Sequence, residues 1–357
     1  MSIGANSVAA RGLLGGCPTA PVTLSVIIPT YNARERLADC LQSIYRYPPS
    51  EPYEVIVVDD ASSDGTSEMV RARFPEVRLF RNDVNRHYAL SNNRAIVHAR
   101  GQYLCLLNND TIVLPQALDR MLVFLREHPE AGAVGSRLLN EDGTIQWSVK
   151  SLPNPGSALF GARSIITRMF PNNRYSRKHL LHLGRDLTTP FVADYVSSAS
   201  IMIPRRVIDE VGELDSRLSY HVDADYCKRI ADAGYKCYYL PAATVIHFDH
   251  KGGTMVSLRR RFRSLVEFHI GSYIFYCKHI RQPTRSPMQI IVPVGLFCRF
   301  MLSIVAQAWA EVHDITISLA AKTGGGLRRE PTAMTWSRTV WRAVSRSAPA
   351  AKPTVDC

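Results

Sequence analysis

Order along the chain begins at residue 22, where the nine residues of VTLSVIIPT are apolar nearly throughout and run into Pro29-Thr30. A continuous apolar run of that length predicts a strand buried on both faces, as in a parallel sheet. Leu37, Leu41, Ile44 and Tyr45 follow at helical spacing, and Pro48-Pro49 closes that helix. EVIVVD (54–59), VRLF (77–80) and QYLCLL (102–107) predict three more strands. Between them lie a short helix reaching Phe74-Pro75 and a helix from Ala89 to His98 stopped by Gly101, and Pro115 to His128 predicts another helix. This alternation over the first 130 residues or so predicts a doubly wound, mostly parallel α/β sheet. Ligands of such sheets bind beyond the carboxyl ends of the strands. The loops that begin at Pro29, Asp59 and Asn108 therefore face one crevice.

The second half is less regular. Residues 132–150 predict a hairpin around Asp142-Gly143, and 153–190, rich in Pro, Arg, Asn and His, predict long loops. DYVSSASIMI (194–203) predicts a strand, Pro204 to Val211 a helix stopped by Gly212, and 225–233 a short helix ended by Gly234. YKCYYLP and ATVIH predict two further strands. Residues 288–310 are mostly apolar, with Pro293 inside and Arg299 at the centre. An arginine at a bilayer midplane costs roughly 2.5–3.5 kcal/mol on insertion scales, so this segment is predicted to lie in a membrane plane or against a partner rather than to span.

Composition narrows the classes. With 46% hydrophobic and 21% charged residues in a chain of 357, a globular core is expected. Eight cysteines stand apart with no CxxC pair, which points to reduced thiols rather than a zinc knuckle or disulfide framework. The net charge of +12 favours anionic partners. Eight Lys or Arg between Lys251 and Arg285 face a single acid, Glu267, and an apolar segment follows directly, which favours an anionic membrane surface over a merely solvated face. Nucleic acid would explain the charge but not acids at strand ends. Met1 to Pro21 has no secretory signal and reads as a mobile leader.

Four constellations carry candidate chemistry. EVIVVDDASSDGT sets acids at the end of a buried strand; they cap the next helix, bind a ligand, or divide the two tasks, with Asp60 facing the crevice. LLNNDT places Asp110 at another strand tip, as a helix cap or as a ligand for a hard divalent cation. SYHVDADYCKR carries Asp223 and Asp225 just before a helix, one free to face the crevice as a general base and the other to cap or to pair with Arg229. His247 ends ATVIH, either as a satisfied polar residue or as a metal ligand.

In this order, SVIIPTYN, VIVVDDASSDGT, LLNNDT, DADYCKR and VIH resemble the inverting family 2 glycosyltransferases of the GT-A fold, most closely their rhamnosyltransferase-like members, over about residues 23–280. The resemblance implies an inverting, metal-dependent hexosyltransferase of bacterial surface polysaccharide synthesis. It implies a GT-A domain over 22–250, with a nucleotide-binding half (22–130) and an acceptor-binding half (131–250). A basic, apolar helical extension over 251–320 would associate with the membrane, and 321–357 would form a flexible tail. Its implied partners are a nucleotide-diphosphate sugar, rhamnose or a related hexose, and a glycan or lipid-linked acceptor. Its implied location is cytoplasmic, peripheral at the inner face of the plasma membrane. By position, Thr30 and Asp60 match donor-nucleotide contacts, Asp110 and His247 match ligands of a Mg or Mn ion, and Asp223 matches the catalytic base.

The departures are specific. Asn108 and Asn109 stand where the family's DxD motif has its first acid and middle residue, and Val222 replaces the acid before the catalytic aspartate. His87 stands where a glycine is usual. A non-catalytic sugar-nucleotide-binding or scaffold protein of the same fold is the competing reading. A processive synthase is disfavoured because LRRRFRSL lacks the Gln and Trp of QxxRW, and a dinucleotide oxidoreductase because no GxGxxG follows the first strand.

Overall fold

A computed structural model describes residues 21–154, 169–170, 173–175, 185–248, 258–281 and 286–323, excepting the side chains of 258–260 and 306–323. The leader, most of the 153–190 loops, the basic stretch 251–257 and the end of the tail lie outside the described residues.

The four expected strands form. They are β1 (Leu24–Thr30), β2 (Tyr53–Asp59), β3 (Arg78–Arg81) and β4 (Tyr103–Leu107), all mutually parallel. Helices α1 (Arg34–Arg46), α2 (Thr66–Arg73) and α3 (His87–His98) connect them. The sheet continues through β10 (Ser200–Pro204), β6 (Ala131–Leu139) and β11 (Lys236–His247) in the order β3-β2-β1-β4-β10-β6-β11, with β8 (Phe191–Ala193) on β11. Short β5 (Thr111–Val113) and β8 share the outer edge of β11, and β10, β5 and β8 run against the other strands. Helix α4 (Ala117–Glu127) joins β5 to β6.

Alternation sorts the strand side chains to two cores. Val26, Ile28, Val55, Val57, Cys105 and Leu107 meet α1 residues Leu37 and Leu41 and α4 residue Met121 on one face. Ile27, Ile56, Val58, Leu104 and Leu106 meet Ala95 and Ile96 of α3 on the other. Covering both faces is what makes continuous apolar strands stable in water. Gly101 marks a close crossing: a Cβ there would lie 2.5 Å from the Ser25 backbone nitrogen.

Four expectations are corrected. YKCYYLP and ATVIH are one strand, because Pro241 falls within an irregular stretch between Leu240 and Thr244 that the strand survives. DYVSSASIMI divides: β9 (Tyr195–Val196) pairs with β7 (Val149–Lys150) in a separate ribbon, and β10 joins the main sheet. The hairpin at Asp142-Gly143 is confined to its tip, since β6 is a core strand up to Leu139, which bridges to Ile145. The helix expected at 225 starts at Val222, because His221 takes a left-handed conformation (φ 65°) and turns the chain early. We label this helix α6 (Val222–Asp232), after α5 (Arg205–Val211).

The chain divides into two compact units, Met1–Ile304 and Val305–Cys357. Within the first, α7 (Leu258–His279) lays one face on the Tyr220–Asp225 segment: Tyr220 hydroxyl meets Ser264 Oγ, and the His221 ring packs against Phe268 and Phe275. Its other face exposes Phe262, Ile270 and Tyr273. Helix α8 (Met288–Thr323) opens with Met288–Val305, of mean hydropathy 1.9 and only 6% buried, long and apolar enough to cross a membrane. The Arg299 guanidinium lies over the Phe268 ring of α7, 5.1 Å from its centroid.

Candidate active site

The carboxyl ends of β1, β2 and β4 form one rim. Thr30, at the end of β1, is buried and accepts from Asn109 Nδ2 at 2.9 Å, joining the tips of β1 and β4. Beyond Asp110 the chain enters β5, whose Thr111 stands opposite His247 in the antiparallel register with β11. The pairing brings Asp110 Oδ1 to 3.4 Å from His247 Nε2, with both side chains almost wholly buried. Asn108 Nδ2 lies 3.3 Å from the same nitrogen, and His247 Nδ1 lies 2.8 Å from Gln146 Oε1.

One carboxylate oxygen and one imidazole nitrogen therefore face a common point, and the second imidazole nitrogen is engaged by an orienting group. That arrangement fits a divalent cation. Among the described residues no third His, Cys, Asp or Glu joins them, which leaves room on such an ion for water or donor phosphate.

The acids after β2 are heavily engaged. Asp59 accepts from Ser62 N at 2.9 Å and from the Ser67 hydroxyl. Asp60 accepts from Asn82 Nδ2 (2.7 Å) and Arg86 N (2.8 Å) on one oxygen and from His87 N (2.8 Å) on the other. It thus holds the loop that enters α3, in which His87 adopts a left-handed φ of 65°. Asp64 accepts from Arg34 N and from Thr66 N and Oγ, tying α1 to α2; burial pushes its carboxyl up, but these bonds outweigh it and hold it below the usual range.

Asp223 and Asp225 share the first turn of α6 and differ completely. Asp225 is buried and takes Arg229 Nε at 3.0 Å on one oxygen, with Lys278 Nζ and His279 Nε2 of α7 each at 2.7 Å on the other. Asp223 stays partly exposed, and its side-chain bond is to the next residue, from Ala224 N at 2.9 Å. Burial raises its carboxyl above the ordinary aspartate value, against the pull of Lys150 and of the backbone N–H groups of Ala224 and Ser198.

Hydrogen bonds connect these positions around the rim. Asp60 binds His87 N; the next residue, Tyr88, donates its hydroxyl to Ser198 O at 3.1 Å; and the Ser198 N–H draws the Asp223 carboxyl down. Asn108 N donates to Ala199 O at 3.0 Å, drawing the Asp110 tip to the same strand opening. The segments that carry Thr30, Asp60, Asp110, Asp223 and His247 are thus linked through Asn109, Tyr88, Ser198 and Ala199. A cleft of about 390 Å³ along α3, lined by Asn82, Arg86, Arg94 and Glu213 among others, includes none of these five residues. Sequence reasoning missed Gln146, Lys150 and the Asn109–Thr30 link. Gln146 meets His247 across 101 positions of sequence, with no motif around it to give it away.

The family model described as Glycosyl transferase family 2 matches residues 25–212, more than half of the chain. The N-acetylglucosaminyl-diphospho-decaprenol L-rhamnosyltransferase of Mycobacterium tuberculosis is 25% identical over 279 residues, covering 74% of this chain and 88% of its own. Glycosyltransferase AglE of Haloferax volcanii is 26% identical over 245 residues, covering 67% and 71%. A mannosyltransferase from Pyrobaculum calidifontis, solved in complex with GDP-Man and Mn2+, superposes with a TM-score of 0.49 at 22% identity, covering 87% of this chain and 78% of its own.

Proposed function

The chain belongs to glycosyl transferase family 2 and has its GT-A fold, and we propose that it transfers rhamnose or a related hexose, with inversion, from a nucleoside-diphosphate donor to a lipid-linked or glycan acceptor. The observation that carries the reading is Asp223: a partly exposed carboxylate with a raised pKa on the same border as the Asp110–His247 pair. A base that must take a proton from an acceptor hydroxyl works best when its pKa is drawn toward the operating pH. The name of the mycobacterial relative supports a rhamnosyl donor and a polyprenyl-diphosphate acceptor.

In this reading Thr30 and Asp60 border the nucleotide, Asp60 through the loop it holds and any oxygen lone pair left over. Asp110 and His247 hold a Mg or Mn ion. When bound, that ion neutralises charge gathering on the departing diphosphate. Asp223 orients the acceptor hydroxyl, receives its proton and leaves the sugar to invert at the carbon under attack. The exposed apolar residues of α8, among them Ile290, Phe297 and Leu302, rest on the inner face of the plasma membrane, where a lipid-linked acceptor is presented. Arg299 engages α7, which favours a helix in the membrane plane over a spanning one.

The single acid in the Asn108-Asn109-Asp110 tip favours a second reading, a sugar-nucleotide-binding protein without turnover. Purified protein is incubated with deoxythymidine-diphosphate rhamnose and a polyprenyl-diphosphate N-acetylglucosamine acceptor, with Mn2+ or with chelator. Metal-dependent appearance of the glycosylated lipid is expected. Donor binding without product under every metal condition selects the second reading.

A further inference from the structure

His247 reaches its place through a chain of hydrogen bonds that starts at the hairpin tip. Asp142 Oδ1 accepts from Thr144 Oγ at 2.6 Å, and hydrogen bonds from the Thr144 hydroxyl and backbone keep that carboxyl below its usual range, so it only accepts. The hydroxyl has one proton and gives it to Asp142. Its oxygen must therefore accept from Asn140 Nδ2, 2.9 Å away. That fixes the Asn140 amide with Oδ1 toward Gln146, whose Nε2 donates to it at 3.0 Å and to the His247 backbone carbonyl at 3.1 Å. Both partners are acceptors, so Gln146 must present its NH2 to them and its Oε1 to the ring. With an acceptor 2.8 Å away, Nδ1 of the neutral imidazole carries the proton, and the lone pair is left on Nε2, the nitrogen nearest Asp110.

We infer that Gln146 is a positioning residue, which through Asp142, Thr144 and Asn140 locks His247 in the tautomer and orientation whose bare Nε2 faces Asp110. The inference rests on the metal-binding reading given above. Asn108 follows from it. Its Nδ2, 3.3 Å from Nε2, donates into the same lone pair that a bound cation would use.

The test uses the full-length protein. Selective ¹⁵N-histidine labelling reads the tautomer of His247 in the metal-free wild type, with His247→Gln to assign the signal. At a pH where the ring is neutral, a protonated Nδ1 with a bare Nε2 is expected, and the tautomer with the proton on Nε2 overturns the inference without any variant being made. Mn2+ affinity, measured by electron paramagnetic resonance with the metal alone, is then compared across substitutions whose fold is checked by circular dichroism. Gln146→Leu is expected to bind Mn2+ about 10–100-fold more weakly, the range found when a ligand loses its orienting partner. Gln146→Glu keeps an acceptor for Nδ1 but sets its other oxygen against the Asn140 amide oxygen and the His247 carbonyl, so it is expected to bind Mn2+ more tightly than Gln146→Leu and more weakly than wild type. A folded Gln146→Leu with wild-type affinity, alongside an Asp110→Ala that has lost Mn2+, overturns the role of Gln146. Wild-type affinity in Asp110→Ala overturns the metal reading instead, and the tautomer still decides for Gln146. Should Gln146→Leu not fold, the wild-type spectrum is the deciding measurement.

Discussion

The acids at the tip of β2 and the acid at the head of α6 share a rim under opposite conditions. Asp59, Asp60 and Asp64 are bonded by backbone N–H groups, hydroxyls and an amide, and the loops around them are shaped by that engagement. Asp223 has a single side-chain bond from its own helix and a carboxyl that burial makes reluctant to ionise. The contrast teaches that an acid in a crevice is not by itself a catalyst. Saturated carboxylates hold architecture, and an under-partnered one is ready to exchange a proton. Asp225, two residues from Asp223 and locked by Arg229, Lys278 and His279, makes the same point within one helical turn.

The strongest way to break this contrast is Asp223→Asn. Transfer should fall by about 10³-fold, as for loss of a general base, with donor affinity unchanged in a titration by calorimetry. The folded-state pKa lies above the unfolded one, so ionisation of Asp223 destabilises the fold as pH rises through the ordinary aspartate value. The asparagine avoids that penalty, and the melting temperature at neutral pH should hold or rise. A rate near wild type would sink the assignment.

Asp60→Asn should do the reverse. An amide turns N–H toward the donors of Asn82, Arg86 or His87 and leaves at least one of them unpaired, at a cost of about 1–3 kcal/mol in urea unfolding. A variant as stable as wild type would mean that the loop does not depend on the carboxylate.

Lys150→Met sharpens the picture at Asp223. Lys150 pulls that pKa down, so its removal should move the acid limb of the pH–rate profile to higher pH, since transfer fails once the base is protonated. An unmoved limb would show that another group titrates there.

The smallest effect is expected at His87, whose φ of 65° suits glycine. His87→Gly should stabilise the protein by up to about 1 kcal/mol, less whatever the contact between the His87 ring and Arg263, 3.1 Å apart, contributes. A net loss in thermal unfolding would give that contact the larger share.

Much of this was legible in the chain itself. The apolar runs of β1, β2 and β4 and their polar exits mark the sheet and its crevice, because a strand buried on both faces leaves a near-continuous apolar signature. Of the alternatives left open for Asp223 and Asp225, the ion pair with Arg229 falls to Asp225. What stayed hidden is non-local or too short to register. Three-residue β5 has no periodicity to read, yet its pairing with the end of β11 is what brings Asp110 to His247. The helix start at Val222 depends on the backbone of His221, a residue type that does not announce a left-handed turn.

The grip of α7 has a practical consequence for any attempt to cut the enzyme down. A protein trimmed at the end of β11 would retain every motif by which its family is detected, yet Asp225 would lose Lys278 and His279, and His221 would lose the aromatic bed of Phe268 and Phe275. Asp223 would then stand on a turn whose underpinning had been removed. The minimal catalytic fragment therefore reaches at least to His279, well past the point where sequence similarity to the family model ends.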